Sequence, residues 1–98
     1  MTYTVIFSER AEKELRDAWS WYEDRQIGLG DRFLSEITYR IKQIETDPSK
    51  GHSHKRSYFE ILLQTFPYMV IYRIDKKLKV IFISSIFHTS RNPKKKYK

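Results

Sequence analysis

Hydrophobic positions along this chain change their period twice, from a short alternating start to a long helical part and then to a strand-rich part. Thr2–Phe7 alternates, with Tyr3, Val5 and Phe7 on one side, and predicts a strand. Ser8 stands where a helix N-cap would, its hydroxyl able to accept from a free backbone N–H of the first turn. Glu9 and Glu12 follow near the positive end of the helix dipole. Ala11, Leu15, Ala18, Trp19 and Tyr22 recur at helical spacing, so one face of this helix is expected to be buried. Gly28 and Gly30 end it and form a short connector. Asp31 is the expected cap of a second helix, whose apolar stripe is Phe33, Ile37, Ile41 and Ile44. Asp47-Pro48 stops that helix, because a residue before proline is pushed out of the α region.

Beyond a polar loop from Ser49 to about Arg56 the period shortens. Tyr58–Leu63, Tyr68–Ile74 and Lys79–Phe87 are dense in Ile, Val, Phe and Tyr and predict three strands. Phe66-Pro67 separates the first two, and Asp75-Lys76-Lys77 makes a short polar hairpin between the last two. These last two are nearly continuous apolar runs, as interior strands are. The order βααβββ implies an α+β fold: a two-helix hairpin packed on one face of a small, mainly antiparallel four-stranded sheet. Residues 1–98 are expected to form a single domain, with 89–98 as a basic tail. The pattern leaves open where the first strand joins the sheet.

Composition narrows the class. Hydrophobic residues at 40% and aromatics at 15% are a globular balance, not a disordered or fibrous one. The absence of cysteine excludes disulfides and thiolate metal sites and fits a reducing cytoplasm. Met1–Ser8 has no basic region leading into a long apolar one, so no signal peptide is expected. No apolar run reaches the ~20 residues of a membrane helix. A cytoplasmic protein without membrane contact is the expectation.

Charge is distributed unevenly. Met1–Pro48 holds seven Lys/Arg against ten Asp/Glu, a net of −3, whereas Ser49–Lys98 holds twelve against two, a net of +10. Such asymmetry points to an anionic partner, either nucleic acid or an acidic protein. The alternative is a merely solubilising surface.

Few residues carry an obvious chemistry. His52 and His54 lie in a polar loop with no third ligand nearby, so no metal is implied, and no motif for a cofactor is present. The candidate cluster is cationic: Lys50, Lys55 and Arg56 before the first strand of the second half, Arg73 in the middle strand, and His88 and Arg91 at the end of the last. On adjacent strands these groups are able to converge on one surface, where arginine would hold phosphate in a bidentate fork. His88 is the natural acid or base there, since an imidazole ordinarily titrates near neutrality. The competing reading pairs Arg73 with Glu60 across the strands. Trp21 lies off the helical stripe and is expected to face a partner.

Phe66-Pro67-Tyr68-Met69-Val70-Ile71-Tyr72-Arg73-Ile74-Asp75, followed by Ile86-Phe87-His88-Thr89-Ser90-Arg91-Asn92-Pro93, resembles the C-terminal half of ParE-type toxins. Pro48, Gly51 and Arg56 before an aromatic strand, and the helix carrying Ala11, Leu15, Trp19 and Tyr22, are similar too. The chain thus resembles the RelE/ParE toxins of type II toxin–antitoxin systems over nearly its whole length. The resemblance implies a growth-inhibiting toxin neutralised by a cognate antitoxin whose C-terminal segment wraps it. It also implies one of two targets: DNA gyrase for the ParE branch, or mRNA on the ribosome for the RelE branch. Ser90-Arg91-Asn92-Pro93 looks more like ParE. If the chain were instead a metal-independent mRNA endonuclease, Arg73, His88 and Arg91 would be its catalytic candidates. Lys55, Arg56, Arg73, His88, Arg91, Lys94, Lys95 and Lys96 are the expected target- or nucleic-acid-binding residues. A plain basic nucleic-acid-binding module is the remaining alternative.

Overall fold

The chain turns from strand to helix at Ser8, whose hydroxyl accepts from the Ala11 N–H at 3.0 Å and donates to the Ser84 carbonyl at 3.0 Å. The cap therefore also fixes where the first helix leaves the sheet. The computed structural model describes residues 3–53 and 57–97. In chain order the elements are β1 (Thr4–Phe7), α1 (Glu9–Arg25), α2 (Leu29–Thr46), β2 (His52–Ser53), β3 (Tyr58–Leu62), β4 (Tyr68–Asp75) and β5 (Val80–His88). One-turn 3₁₀ segments follow α2 at Pro48–Lys50 and β5 at Pro93–Lys95.

The sheet has five strands in the order β1-β5-β4-β3-β2. The extra strand is β2, two residues from the expected loop, with His52 opposite Glu60 and Ser53 opposite Phe59. Two residues give no periodicity to read, which is why the pattern shows only four strands. Strands β2 to β5 form an antiparallel meander, and β1 adds in parallel to the far edge of β5. A parallel neighbour needs a crossover; here the chain from α1 to β4 supplies it.

The α1–α2 hairpin covers one face of the sheet. Ala11 and Ala18 of α1 and Phe33, Ile37 and Ile44 of α2 are buried against Val70, Tyr72, Ile81, Ile83 and Ile86. Val5 and Phe7 pack on the same side. Strict alternation would not put both Ile83 and Ile86 there. A bulge does: Ile71 lies opposite Ser85 and Tyr72 opposite Ile83, leaving Ser84 as the extra residue. The hydroxyl of Ser84 donates to the Ile71 carbonyl at 3.2 Å.

The helix junction differs from expectation. Helix α2 begins at Leu29, with Gly28 at φ +89° as its N-cap. Asp31 is already inside the first turn and accepts from the Trp19 indole N–H at 3.1 Å. Glu23 takes over the capping, accepting from the Gly28 and Gly30 N–H groups at 2.9 Å each. Gly30 is where the helices touch, since a Cβ there would lie 2.7 Å from the Trp19 carbonyl oxygen.

Candidate functional site

Beyond β5 the chain does not trail away as a charged tail. Arg91 donates to Glu14 of α1 at 2.9 Å. The Asn92 side chain accepts from the Lys94 N–H at 3.0 Å and starts the 3₁₀ turn. Arg10 reaches across from α1 to the Lys95 carbonyl at 2.6 Å. The segment then crosses to the sheet face away from the helices. There Tyr97 stacks on Tyr58 with ring centroids 4.6 Å apart and donates its hydroxyl to Glu60. Lys96 bonds the same Glu60 carboxylate at 3.3 Å. Beneath lies a small apolar patch of Met69, Ile71 and Phe87, packed by Tyr58 and Tyr97. Burial, followed by the Glu60 hydrogen bond and charge, pushes the Tyr97 hydroxyl well above the usual phenol range. Such a phenol is a hydrogen-bond donor and not a base.

Glu14 is the counterpart on the other side. Past the end of β1, the edge of β5 is free, and the Glu14 carboxylate fills it. It accepts from the Ile86 N–H at 3.0 Å and the Ser85 hydroxyl at 2.7 Å, besides Arg10 and Arg91. A buried backbone N–H left without a partner is costly, so Glu14 both closes the sheet and anchors the segment that follows it.

His88 lies opposite Tyr68, with the two rings edge to face at 4.9 Å. Its Nδ1 accepts from the Ser90 N–H at 3.1 Å. His88, Ser90 and Arg91 line one side of a cleft of about 610 Å³, and Trp21, Tyr22 and Tyr68 supply its aromatic wall. Burial raises the hydroxyl pKa values of Tyr22 and Tyr68. Trp21 is 52% exposed, and the Arg25 guanidinium lies 3.7 Å above its ring.

Arg73 is elsewhere. Its register partners are Tyr58 and Phe82, and its guanidinium sits 5.3 Å from the Tyr58 ring. It projects from the face away from the helices, whereas His88 projects toward them. Arg73 and Tyr68, the residue opposite His88, are separated by about 17 Å along β4. The structure thus brings His88 and Arg91 together and separates both from Arg73. Nor does Arg73 pair with Glu60, because Glu60 lies opposite Ile71 and is taken by Tyr97 and Lys96. Lys94 and Lys95 are exposed on the 3₁₀ turn. Lys55, Arg56 and His54 lie outside the described residues. Among the described residues no cluster of three His, Asp or Glu is placed to hold a metal.

The profile of the ParE toxin of type II toxin–antitoxin systems (parDE) matches residues 5–93. The chain belongs to this family. Solved structures agree in fold. The chromosomal ParDE system of P. aeruginosa superposes with a TM-score of 0.74 at 16% identity, over 91% of this chain and 98% of the other. The intact E. coli RelBE complex gives 0.69 at 22% identity, over 91% and 99%. RelBE2 of Mycobacterium tuberculosis gives 0.66 at 22%, over 90% and 99%. No curated protein matches in sequence. This ParE-family chain therefore shares its overall fold with both ParE and RelE toxins. Among the described residues no helix is long and apolar enough to cross a membrane.

Of the two carboxylates that anchor the C-terminal segment of this ParE-family chain, sequence reasoning named Glu60 only as a partner of Arg73 and missed Glu14. Glu60 had a signal: it and Asp75 are the only acids among the twelve cations of the second half. Glu14 had a weaker one, its i,i+4 spacing from Arg10 on a helix face.

Proposed function

We propose that this toxin acts as ParE toxins do, on a DNA-replication target such as gyrase, without hydrolysing RNA. The observation that carries the reading is the dispersal of its candidate acid–base groups. A metal-free ribonuclease needs a general base, a general acid and a cation around one phosphate. Among the described residues, His88 and Arg73 face opposite sides of the sheet, and the Tyr97 hydroxyl is committed to Glu60. Cognate neutralisation follows from the family. The antitoxin segment is amphipathic and acidic, because it covers apolar ground such as the cleft beside Trp21 and meets the cationic half of the chain.

The competing reading is a ribosome-dependent mRNA endonuclease. Its support is the fold likeness to RelE toxins and the presence of Arg73 and Tyr97 on one sheet face. Induced expression with parallel readouts separates the two. Loss of gyrase supercoiling with intact mRNA is the expected result; rapid mRNA cleavage with normal supercoiling overturns it. Normal growth at high soluble expression would count against both.

A further inference from the structure

The turn after β5 puts a serine hydroxyl on a histidine. Ser90 Oγ lies 2.7 Å from His88 Nδ1, and the Ser90 backbone N–H donates to the same nitrogen at 3.1 Å. The backbone bond fixes the tautomer. Nδ1 is an acceptor, so the neutral imidazole carries its hydrogen on Nε2 and the Ser90 hydroxyl donates to Nδ1. The ring is held in turn, because His88 ends β5 opposite Tyr68, whose ring meets it edge to face at 4.9 Å. A hydroxyl within hydrogen-bond reach of a base that is itself oriented is the arrangement that activates a serine nucleophile.

The pair opens on space. Ser90 is exposed, and both residues line the cleft of about 610 Å³ whose aromatic wall is Trp21, Tyr22 and Tyr68. Two carboxylates border the same cleft, and both are engaged. Glu14 accepts from Ser85, Ile86, Arg10 and Arg91, and Asp17 pairs with Lys13 at 2.8 Å. Neither is bonded to the serine or the histidine. Arg91 is the cation of the cleft wall, and Glu14 takes one of its N–H groups.

We propose that Ser90 is a nucleophile that takes an acyl group from an activated ester bound in this cleft, with His88 as its base. Ser90 Oγ attacks the carbonyl carbon as its proton passes to His88 Nδ1. Negative charge gathers on the carbonyl oxygen, where the remaining Arg91 N–H groups stabilise it. When the bond from the carbonyl carbon to the leaving oxygen breaks, Nδ1 returns the proton to that oxygen. The products are acyl-Ser90 and a free alcohol or phenol, and the imidazole ends neutral as it began. The aromatic wall favours esters that carry an apolar or aromatic group. This chemistry lies on the helix side of the sheet, apart from Arg73 and Tyr97, and is separate from either target of the toxin.

The test treats the full chain with p-nitrophenyl acetate and follows nitrophenolate release, with peptide mass mapping to locate the acetyl group. Ser90 should be acetylated about 10²-fold or more faster than Ser20 and Ser35, which are exposed but have no histidine partner. This comparison is internal to the parent protein and needs no variant. His88→Asn should slow Ser90 acetylation by a similar factor. The asparagine side-chain oxygen still accepts from the Ser90 N–H, so the turn is kept while the base is lost. An unchanged thermal midpoint would verify this. Trp21 is 52% exposed, so Trp21→Ala keeps the fold; it should raise the half-saturating ester concentration severalfold and leave the limiting rate unchanged. Acetylation of Ser90 no faster than that of Ser20 and Ser35, or confined to lysines, overturns the proposal. So does undiminished Ser90 acetylation in a folded His88→Asn protein, where the histidine is then a turn residue and no base. An unchanged half-saturation in Trp21→Ala overturns the cleft as the site of the ester.

Discussion

Tyr72 shows how one hydroxyl can hold a chain reversal. The ring is fully buried, yet its hydroxyl donates to the Pro48 carbonyl at 2.7 Å and accepts from the Gly51 N–H at 3.1 Å. It thereby ties the segment after α2 to the middle of the sheet. Tyr72→Phe removes the partner of both backbone groups and should cost about 1–3 kcal/mol in urea denaturation. Gly51 is required for the same reason, since a Cβ there would lie 2.5 Å from the Tyr72 hydroxyl and 2.8 Å from the Glu60 carbonyl. Burial pushes the Tyr72 hydroxyl up to about 12. A folded-state pKa above the unfolded value of about 10 gives stability that is complete below pH 10 and lost as pH rises toward 12. Urea midpoints measured across that window should fall less steeply for Tyr72→Phe than for the parent.

At the scale of elements, the C-terminal segment behaves as a strap rather than a tail. It is fastened at Glu14 through Arg91, at Arg10 through the Lys95 carbonyl, and at Glu60 through Lys96 and Tyr97. The sequence pattern reads residues 89–98 as a basic tail and nothing more. With Tyr97 stacked on Tyr58 over Met69, Ile71 and Phe87, truncation after Pro93 uncovers apolar surface. It should cost roughly 1–2 kcal/mol in thermal or urea unfolding while secondary structure persists. An unchanged midpoint would show that the strap is not docked in solution. A Lys94→Ala/Lys95→Ala protein, which keeps Tyr97, isolates the charge from the packing.

The whole molecule is electrically lopsided, with the first 48 residues at −3 and the remainder at +10. Association with an acidic antitoxin should therefore slow as salt rises, read in stopped-flow as a falling on-rate. An on-rate indifferent to salt would remove electrostatics from the recognition. Toxicity separates the two target readings at the same scale. His88 rests on Tyr68 and holds the Ser90 turn, so His88→Ala should leave a ParE-like toxin active. A nuclease using His88 as acid or base would lose roughly 10²–10⁴ in rate. A folded, non-toxic His88→Ala protein would favour RNA cleavage.

The linear order of residues was sufficient for most of what depends on near neighbours, the start of α2 excepted, where Glu23 and not Asp31 caps. The Ser8 cap, the two helical stripes, the stop at Asp47-Pro48 and the interior character of β4 and β5 all follow from period and local backbone chemistry. The charge asymmetry and the resemblance on residues 66–93 were likewise readable before any coordinates. The site was legible only in part. His88 and Arg91 meet, but their separation from Arg73 depends on which face of β4 each strand neighbour presents, and one residue of register reverses that. The parallel docking of β1, the closing of the β5 edge by Glu14 and the return of Tyr97 to Glu60 join residues 37 to 76 positions apart. No periodic pattern encodes such pairs. Only the packed chain decides them, because each unpaired N–H, carboxylate or apolar patch finds its partner after the helices and sheet have come together.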